Sequence, residues 1–255
     1  KQNKYTQFFQ EWKEQEFQDH PEEQKKMDEL EQLSQNIGMR EGLTIACFDY
    51  RKLGLAFYTG NVEELTGYPA SMFREKGMET TFNMTYPEER AEIVRFQKIV
   101  FDSFHQLTLK EKHTFEFSYT TRWVNRKTNK ISWVLGKVKP YLIDSGGNFA
   151  MDLHIIMQLH TPPKTAGYDW NYSYQKEDGT RIFVSKNSPN SREVSLTKKE
   201  REIVKVILEG KESKDIAEHF NISVNTVATH RKNILKKLKA RNVGEIVKIL
   251  SMYPF

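Results

Sequence analysis

Between His219 and Gly244 the chain carries six basic residues, Arg231, Lys232, Lys236, Lys237, Lys239 and Arg241, and no Asp or Glu. Wound as a helix with successive residues about 100° apart, this stretch sorts itself into two faces. Val227, Ile234 and Leu238 fall together on one side, and Asn225, Thr229, Lys232 and Lys236 on the other, with Ala228 and Lys239 at its edge. Amide, hydroxyl and ammonium groups on an acid-free face suit base edges and phosphates, and a polyanion would meet no local repulsion there. The competing reading, a merely solvated face, suits Lys237 or Lys239 taken alone but not the whole constellation. His230 lies beside the apolar stripe, where packing and one hydrogen bond are the expected role.

Other chemistry is thinly provided for. The chain has one cysteine, Cys47, so it forms neither an internal disulfide nor a multi-cysteine metal site. His113, His154 and His160 are dispersed without metal-ligand spacing, so no metal is expected. No phosphate-cradling glycine loop or nucleophile motif is present; no catalytic residue is assigned and an enzyme is not expected.

The basic face must be held by neighbouring helices, and the sequence supplies them. Thr197 followed three residues later by Glu200 is a reciprocal helix start, and Ile203, Val206 and Ile207 follow at helical spacing until Gly210. A second helix after Ser213 carries Ile216, Ala217 and Phe220, and only Asn221, Ile222 and Ser223 separate it from the third, Val224 to about Lys239. Two helices joined so tightly form a helix-turn-helix, whose second member enters the major groove. A last helix starts near Val243. In it Val243, Ile246 and Leu250 share the core side, and Val247 sits on the shoulder with no partner inside so small a domain.

The opening LTKKE, the turn KDIAEHFNIS and the helix TVATHRKNILKKL closely resemble the LuxR-type helix-turn-helix of bacterial transcription regulators, over nearly all of the last 60 residues. The resemblance implies base contacts from Ala228, Thr229 and Lys232, and phosphate contacts from Thr226 and Lys236. It also implies dimerisation through the last helix, with Val243, Val247 and Leu250 as the contact residues. Ala228 stands where many relatives carry a long polar side chain, which makes direct readout leaner. Double-stranded DNA is the implied partner, in a homodimer, and such regulators also admit RNA polymerase.

The length, 255 residues, suits two domains. Residues 191–255 hold 14 Lys and Arg against 8 Asp and Glu, whereas the remainder holds 25 against 26, so the first part needs no polyanionic partner. No apolar run reaches the roughly 18 residues of a membrane span and no signal-peptide pattern opens the chain. A cytoplasmic location without a membrane partner is expected.

Residues 1–40 read as two helices broken at Pro21, with stripes Tyr5, Phe8, Phe9, Trp12 and Met27, Leu30, Leu33, Ile37. Intramolecular packing is expected for the first; for the second the sequence leaves open its own domain or a second copy. Residues 41–160 change to strands at Leu43 to Asp49 and Leu55 to Thr59. Short helical pieces follow, then a helix from Pro87 to Phe104 with Ile93, Phe96, Val100 and Phe104 on one face. Three long strands close the region: His113 to Val124, Lys130 to Ile143 and Asn148 to Leu159.

That order, together with FYTGNVEELTGYPASMF, YPEERAEI and the three closing strands, resembles a PAS domain. The resemblance implies a sensory or dimerising module holding a small-molecule ligand between sheet and helices, lined by Leu65, Tyr68, Phe96, Val100, Phe115, Phe117, Trp133, Met151 and Leu153. Those residues serve equally well as plain core. The cofactor is unknown and none is indicated. A flavin sensor of this family needs a cysteine in the short-helix region, whereas Cys47 sits in the first strand, and haem has only His105 as an axial candidate.

Residues 161–194 read as a linker with a β-hairpin around Glu177-Asp178-Gly179, whose aromatics offer a docking face, and residues 195–255 as the DNA-binding domain. The expected class is α+β: N-terminal helices, a PAS-like antiparallel sheet with cover helices, then a separate all-α four-helix domain. The expected function is a sequence-specific DNA-binding regulator under a PAS-like sensor. A phosphorylation-gated receiver is disfavoured because the first part lacks alternating βα order and acidic strand ends. Two alternatives remain: the PAS-like part is only an interaction or dimer module, or it is an acyl-homoserine-lactone-type receptor.

Overall fold

A computed structural model describes residues 12, 14–37, 42–59, 62–163, 167–194, 196–238 and 240–246; side chains are described for all of these except 33–37 and 188–194. The chain divides into two compact units, residues 1–174 with 185–189, and residues 175–184 with 190–255. Its class is α+β.

The first unit opens with helix α1 (Glu23–Ile37), then β1 (Leu43–Asp49) and β2 (Gly54–Tyr58). Three short helices follow, α2 (Val62–Thr66), α3 (Ala70–Glu75) and α4 (Met78–Met84), and a 3-10 turn Pro87–Glu89 leads into the long α5 (Arg90–His105). After α6 (Leu109–Thr114) come β3 (Glu116–Val124), β4 (Ile131–Ile143), β5 (Phe149–Leu159) and β6 (Asp169–Gln175). Within this unit the strands are hydrogen-bonded in the order β2-β1-β5-β4-β3-β6, and every resolved pairing is antiparallel.

Alternation along the strands gives the sheet two covered faces. On one, Ile45, Cys47, Met151 and Leu153 pack with Leu30 and Met27 of α1. The side chains of Leu33 and Ile37, and residues 5–9 of the first stripe, lie outside what is described. Trp12 is fully buried and stacks on Tyr50 with ring centroids 4.2 Å apart, so this part of residues 1–40 is core of the first unit. On the other face α5 lies across the sheet through Phe96, Val100 and Phe104, each fully buried.

Three local differences from the sequence expectations have physical causes. The strand expected from His113 begins only at Glu116, because Thr108 and Glu111 form a capping box that nucleates α6. The stretch Met78–Met84, unassigned from sequence, is helical; Gly77 before it has φ 47°, and a Cβ there would stand 1.9 Å from the Leu53 carbonyl. The segment expected in a linker hairpin contains β6, which pairs with β3 from Glu116↔Ser173 to Thr120↔Asp169. Its aromatics Tyr168, Trp170 and Tyr172 are therefore buried inside the first unit rather than offered as a docking face, Trp170 stacked on Phe96 at 4.6 Å.

The second unit holds α7 (Lys198–Leu208), α8 (Ser213–Phe220), α9 (Val224–Leu238) and helical residues 243–246. Besides these helices it includes residues 175–184, whose Phe183 joins the helical core, and the strand segment after Asn190. Strands β7 (Arg181–Ser185) and β8 (Ser188–Val194) precede α7.

Candidate nucleic-acid interface and sensor cavity

The geometry of α9 follows from how α7 and α8 grip it. Val227, Ile234 and Leu238 are fully buried against Ile203, Ile207, Ile216 and Ala217. Asn221 ends α8 in the left-handed region at φ 51°, ψ 49°, a conformation Asn tolerates better than most residues. The Ile222 N–H then donates to the Ala217 carbonyl (2.9 Å), closing the tight turn. Ser223 caps α9: its Oγ accepts from the Thr226 N–H at 3.0 Å.

This grip leaves Asn225, Thr226, Ala228, Thr229, Lys232 and Lys236 exposed together on α9. His230 is half-buried, on the shoulder of the stripe. The hydroxyls are already engaged: Thr229 donates to the Asn225 carbonyl (3.0 Å) and Thr226 shares a hydrogen bond with Ser223 (2.8 Å). The cations divide into two kinds. Arg231 donates to Ser213 Oγ (2.7 Å), Lys237 pairs with Glu200 (2.7 Å) and Arg241 with Glu245 (3.1 Å). Lys232 and Lys236 have no ionic or hydrogen-bonding partner among the described residues, and their charge faces solvent. Lys239 lies outside the described residues.

Glu200 ties α7 to α9. It is 3 % exposed and caps α7, accepting from the Thr197 N–H (2.7 Å) while Thr197 Oγ1 accepts from the Glu200 N–H (3.2 Å). Burial alone would raise its pKa; the bond from Lys237 and the Thr197 N–H outweigh that and hold the carboxyl below its ordinary value. Lys237 therefore belongs to the scaffold. In the last helix, Ile246 is fully buried and Val243 half-buried against the same core; Val247 and Leu250 lie outside the described residues.

In the first unit a cavity of about 100 Å³ opens between β1, β3 and β5 and the helices α2 to α5. Its walls are largely apolar, from Ala46, Phe48, Leu55, Phe73, Met84 and Ile156, with Gln97, Tyr119, His154 and several Thr and Tyr hydroxyls among the polar members. Beneath one end lies Asp152, wholly buried. Its carboxylate accepts from Tyr50 Oη (2.7 Å) and the Phe48 N–H (3.3 Å), and His154 Nε2 stands 2.8 Å away. Burial first, and the Asp152 charge second, push the Tyr50 and Tyr119 phenols far up, so both stay protonated, and Tyr50 donates to Asp152.

None of the nine residues expected to line the cavity does so. Met151 and Leu153 are one residue out of phase: on β5 the cavity side is Asp152, His154 and Ile156, and their own side faces α1. Trp133 is on that outer side too, its ring 5.5 Å from the Arg122 guanidinium. Phe96, Phe115, Phe117 and Val100 are solid core, with Phe96 edge-on to Phe117 at 5.5 Å. Leu65 and Tyr68 pack behind the wall residues Val62 and Phe73. The signal that could have found the site is an Asp alone in an apolar strand, with a His two residues on and so on the same face. His105 has both ring nitrogens engaged, by the Phe101 carbonyl (2.8 Å) and Gln15 (2.9 Å), and Cys47 is buried in β1. No helix among the described residues is long and apolar enough to cross a membrane.

Residues 194–250 match the family model of bacterial regulatory proteins, luxR family. The C-terminal unit thus carries a LuxR-type helix-turn-helix. Among curated proteins, the response regulator protein TmoT of Ectopseudomonas mendocina is 37 % identical over 75 residues, 29 % of this chain and 32 % of that protein. The DNA-binding transcriptional activator EvgA of Escherichia coli K12 is 32 % identical over 75 residues, 29 % of this chain and 37 % of that protein. The chain spans about a third of the length of these relatives. A solved Vibrio cholera VqmA-ligand-DNA complex aligns over 86 % of this chain and 85 % of that one at 15 % identity, with a TM-score of 0.33, a likeness too loose to assign anything here.

Proposed function

We propose that this chain is a cytoplasmic transcription regulator that binds double-stranded DNA sequence-specifically as a homodimer through residues 195–255. Its PAS-like first unit controls that binding, and the protein acts by binding rather than by catalysis. The observation that carries the reading is the α9 face, on which Lys232 and Lys236 stand exposed and unpaired beside Asn225, Ala228 and Thr229 in a segment matching the luxR family. In this reading Ala228, Thr229 and Lys232 meet base edges, Thr226 and Lys236 meet phosphates, and Asn225 contacts the DNA from the same face. The dimer contact is made by Val243, Val247 and Leu250, and RNA polymerase is a further partner. Control by the first unit is supported by Tyr168, a wall residue of the cavity that immediately precedes β6, after which the chain enters the second unit.

The test begins with duplexes selected from a random library by the full chain. Lys236→Ala should weaken all sequences alike and lower the slope of log K against log salt by about one. Lys232→Ala should relax discrimination at one base pair by ~1 to 3 kcal/mol. Equal, sequence-independent losses in both variants would sink the assigned roles.

A second reading, that the first unit serves for protein interaction or dimerisation, is favoured by one observation. Ile155 (39 % exposed) and Met157 (43 %) stand on the outer face of the sheet opposite Ile45 and Leu43. Sedimentation of the full chain with Met157→Lys separates the two readings: loss of the dimer supports the second.

A further inference from the structure

We infer that the cavity of the first unit binds a compact, uncharged molecule about the size of one small ring, with a hydrogen-bonding atom set against Tyr119 and Gln97. The inference rests on the sensor reading above and gives it a ligand class. Size comes first. An apolar protein cavity of roughly 150 Å³ holds benzene, and this one measures about 100 Å³, so it takes at most one small ring and excludes a long acyl chain.

Charge comes second. Among the described residues no Lys or Arg lines the cavity, and His154 is already set against Asp152 at 2.8 Å, so an anionic ligand would enter beside a buried carboxylate without a counter-cation. A cation gains no more, because Asp152 already takes Tyr50, His154 and the Phe48 N–H.

Hydrogen bonding comes third. Neither the Tyr119 hydroxyl nor the Gln97 amide has a hydrogen-bond partner among the described residues, although both side chains help form the wall. Polar groups so placed favour a ligand that supplies the missing partner. Tyr119 is held there by Gly136, its cross-strand partner: a Cβ on Gly136 would stand 2.3 Å from the ring. Tyr168, whose ring lies stacked 6.0 Å from that of Tyr119, gives the ligand an aromatic neighbour.

The experiment uses the full chain, calorimetry, and a fixed set of probes: pyrazole, cyclopentanone and phenol as compact neutral molecules, benzoate and benzylammonium as charged ones, and N-octanoyl homoserine lactone as a long one. Saturable one-to-one binding is expected for at least one neutral probe and for none of the others. Tyr119→Phe should weaken that probe roughly five- to tenfold, the worth of one hydrogen bond. Ala46→Leu, which fills the space, should abolish binding while the melting temperature is kept. Preferred binding of benzoate, benzylammonium or the lactone, no binding of any neutral probe, or unchanged affinity in both variants overturns the inference. Binding to the selected duplex is measured on the same samples: duplex bound but no neutral probe bound refutes the ligand class alone, whereas no duplex bound refutes the regulator reading itself.

Discussion

Removing the Glu200 carboxylate should loosen the scaffold of the DNA-binding unit by an amount that can be worked from its contacts. Glu200→Ala deletes the acceptor of the Thr197 N–H, worth ~1 kcal/mol as half of a capping box. It also deletes the charge-assisted bond from Lys237, ~1.5 to 3 kcal/mol for buried partners; the Lys237 side chain is 37 % exposed and rehydrates, which brings this towards ~1 kcal/mol. The sum is about 2 kcal/mol. Glu200→Gln keeps an oxygen for the Thr197 N–H and loses the charge, so about 1 kcal/mol is expected. In a cycle with Lys237→Met the coupling should be about 1 kcal/mol. The pH dependence has a definite sign. A carboxyl held below its ordinary value in the folded state contributes stability that is present above the ordinary pKa of 4.5 and lost as pH falls through the lowered folded value. All four tryptophans, at 12, 123, 133 and 170, lie in the first unit and are blind to this change. Hydrogen exchange of residues 198–208 in the full chain is therefore the assay. If Glu200→Gln costs as much as Glu200→Ala, or the coupling to Lys237 vanishes, the charge-based account fails.

Gly136→Ala should drive the Tyr119 ring into the cavity at a cost of ~1 to 2 kcal/mol, seen as a few degrees in the melt of the first unit with loss of neutral-probe binding; an unchanged probe affinity would show that the ring has another way out. Asn221→Val forces a β-branched residue into the left-handed turn and should cost the second unit ~1 to 2 kcal/mol, whereas Asn221→Gly should stay within about 0.5 kcal/mol; equal costs in exchange protection of α8 would contradict the turn argument. Val247→Lys in the full chain should abolish cooperative binding to an inverted repeat if the last helix carries the dimer, and retained cooperativity moves that contact to the first unit.

The DNA-binding half was legible because its determinants are local. The 3.6-residue period, the Thr197–Glu200 box and the short Asn221–Ser223 turn fix three helices within one stretch of chain. They also fix which face of α9 Val227, Ile234 and Leu238 bury. Local pattern could not say which lysines remain unpaired: Lys237 and Lys236 are sequence neighbours of the same type, and only the approach of α7 brings Glu200 to one and leaves the other in solvent. In the first unit the strands β1, β4 and β5 were readable from β-forming runs and turns. The cavity was not, because a strand buried on both faces is apolar at odd and even positions alike. Met151 and Leu153 look as much like pocket residues as Ile156 does until α1 is seen to cover their side. The cluster of Tyr50, Asp152 and half-buried His154 joins residues 102 to 104 positions apart in the chain, or two apart along one strand. Its meaning depends on burial, which composition cannot supply: in water Asp152 is an ordinary surface acid, and only the packed sheet makes it the anchor of a polar end in an apolar cavity.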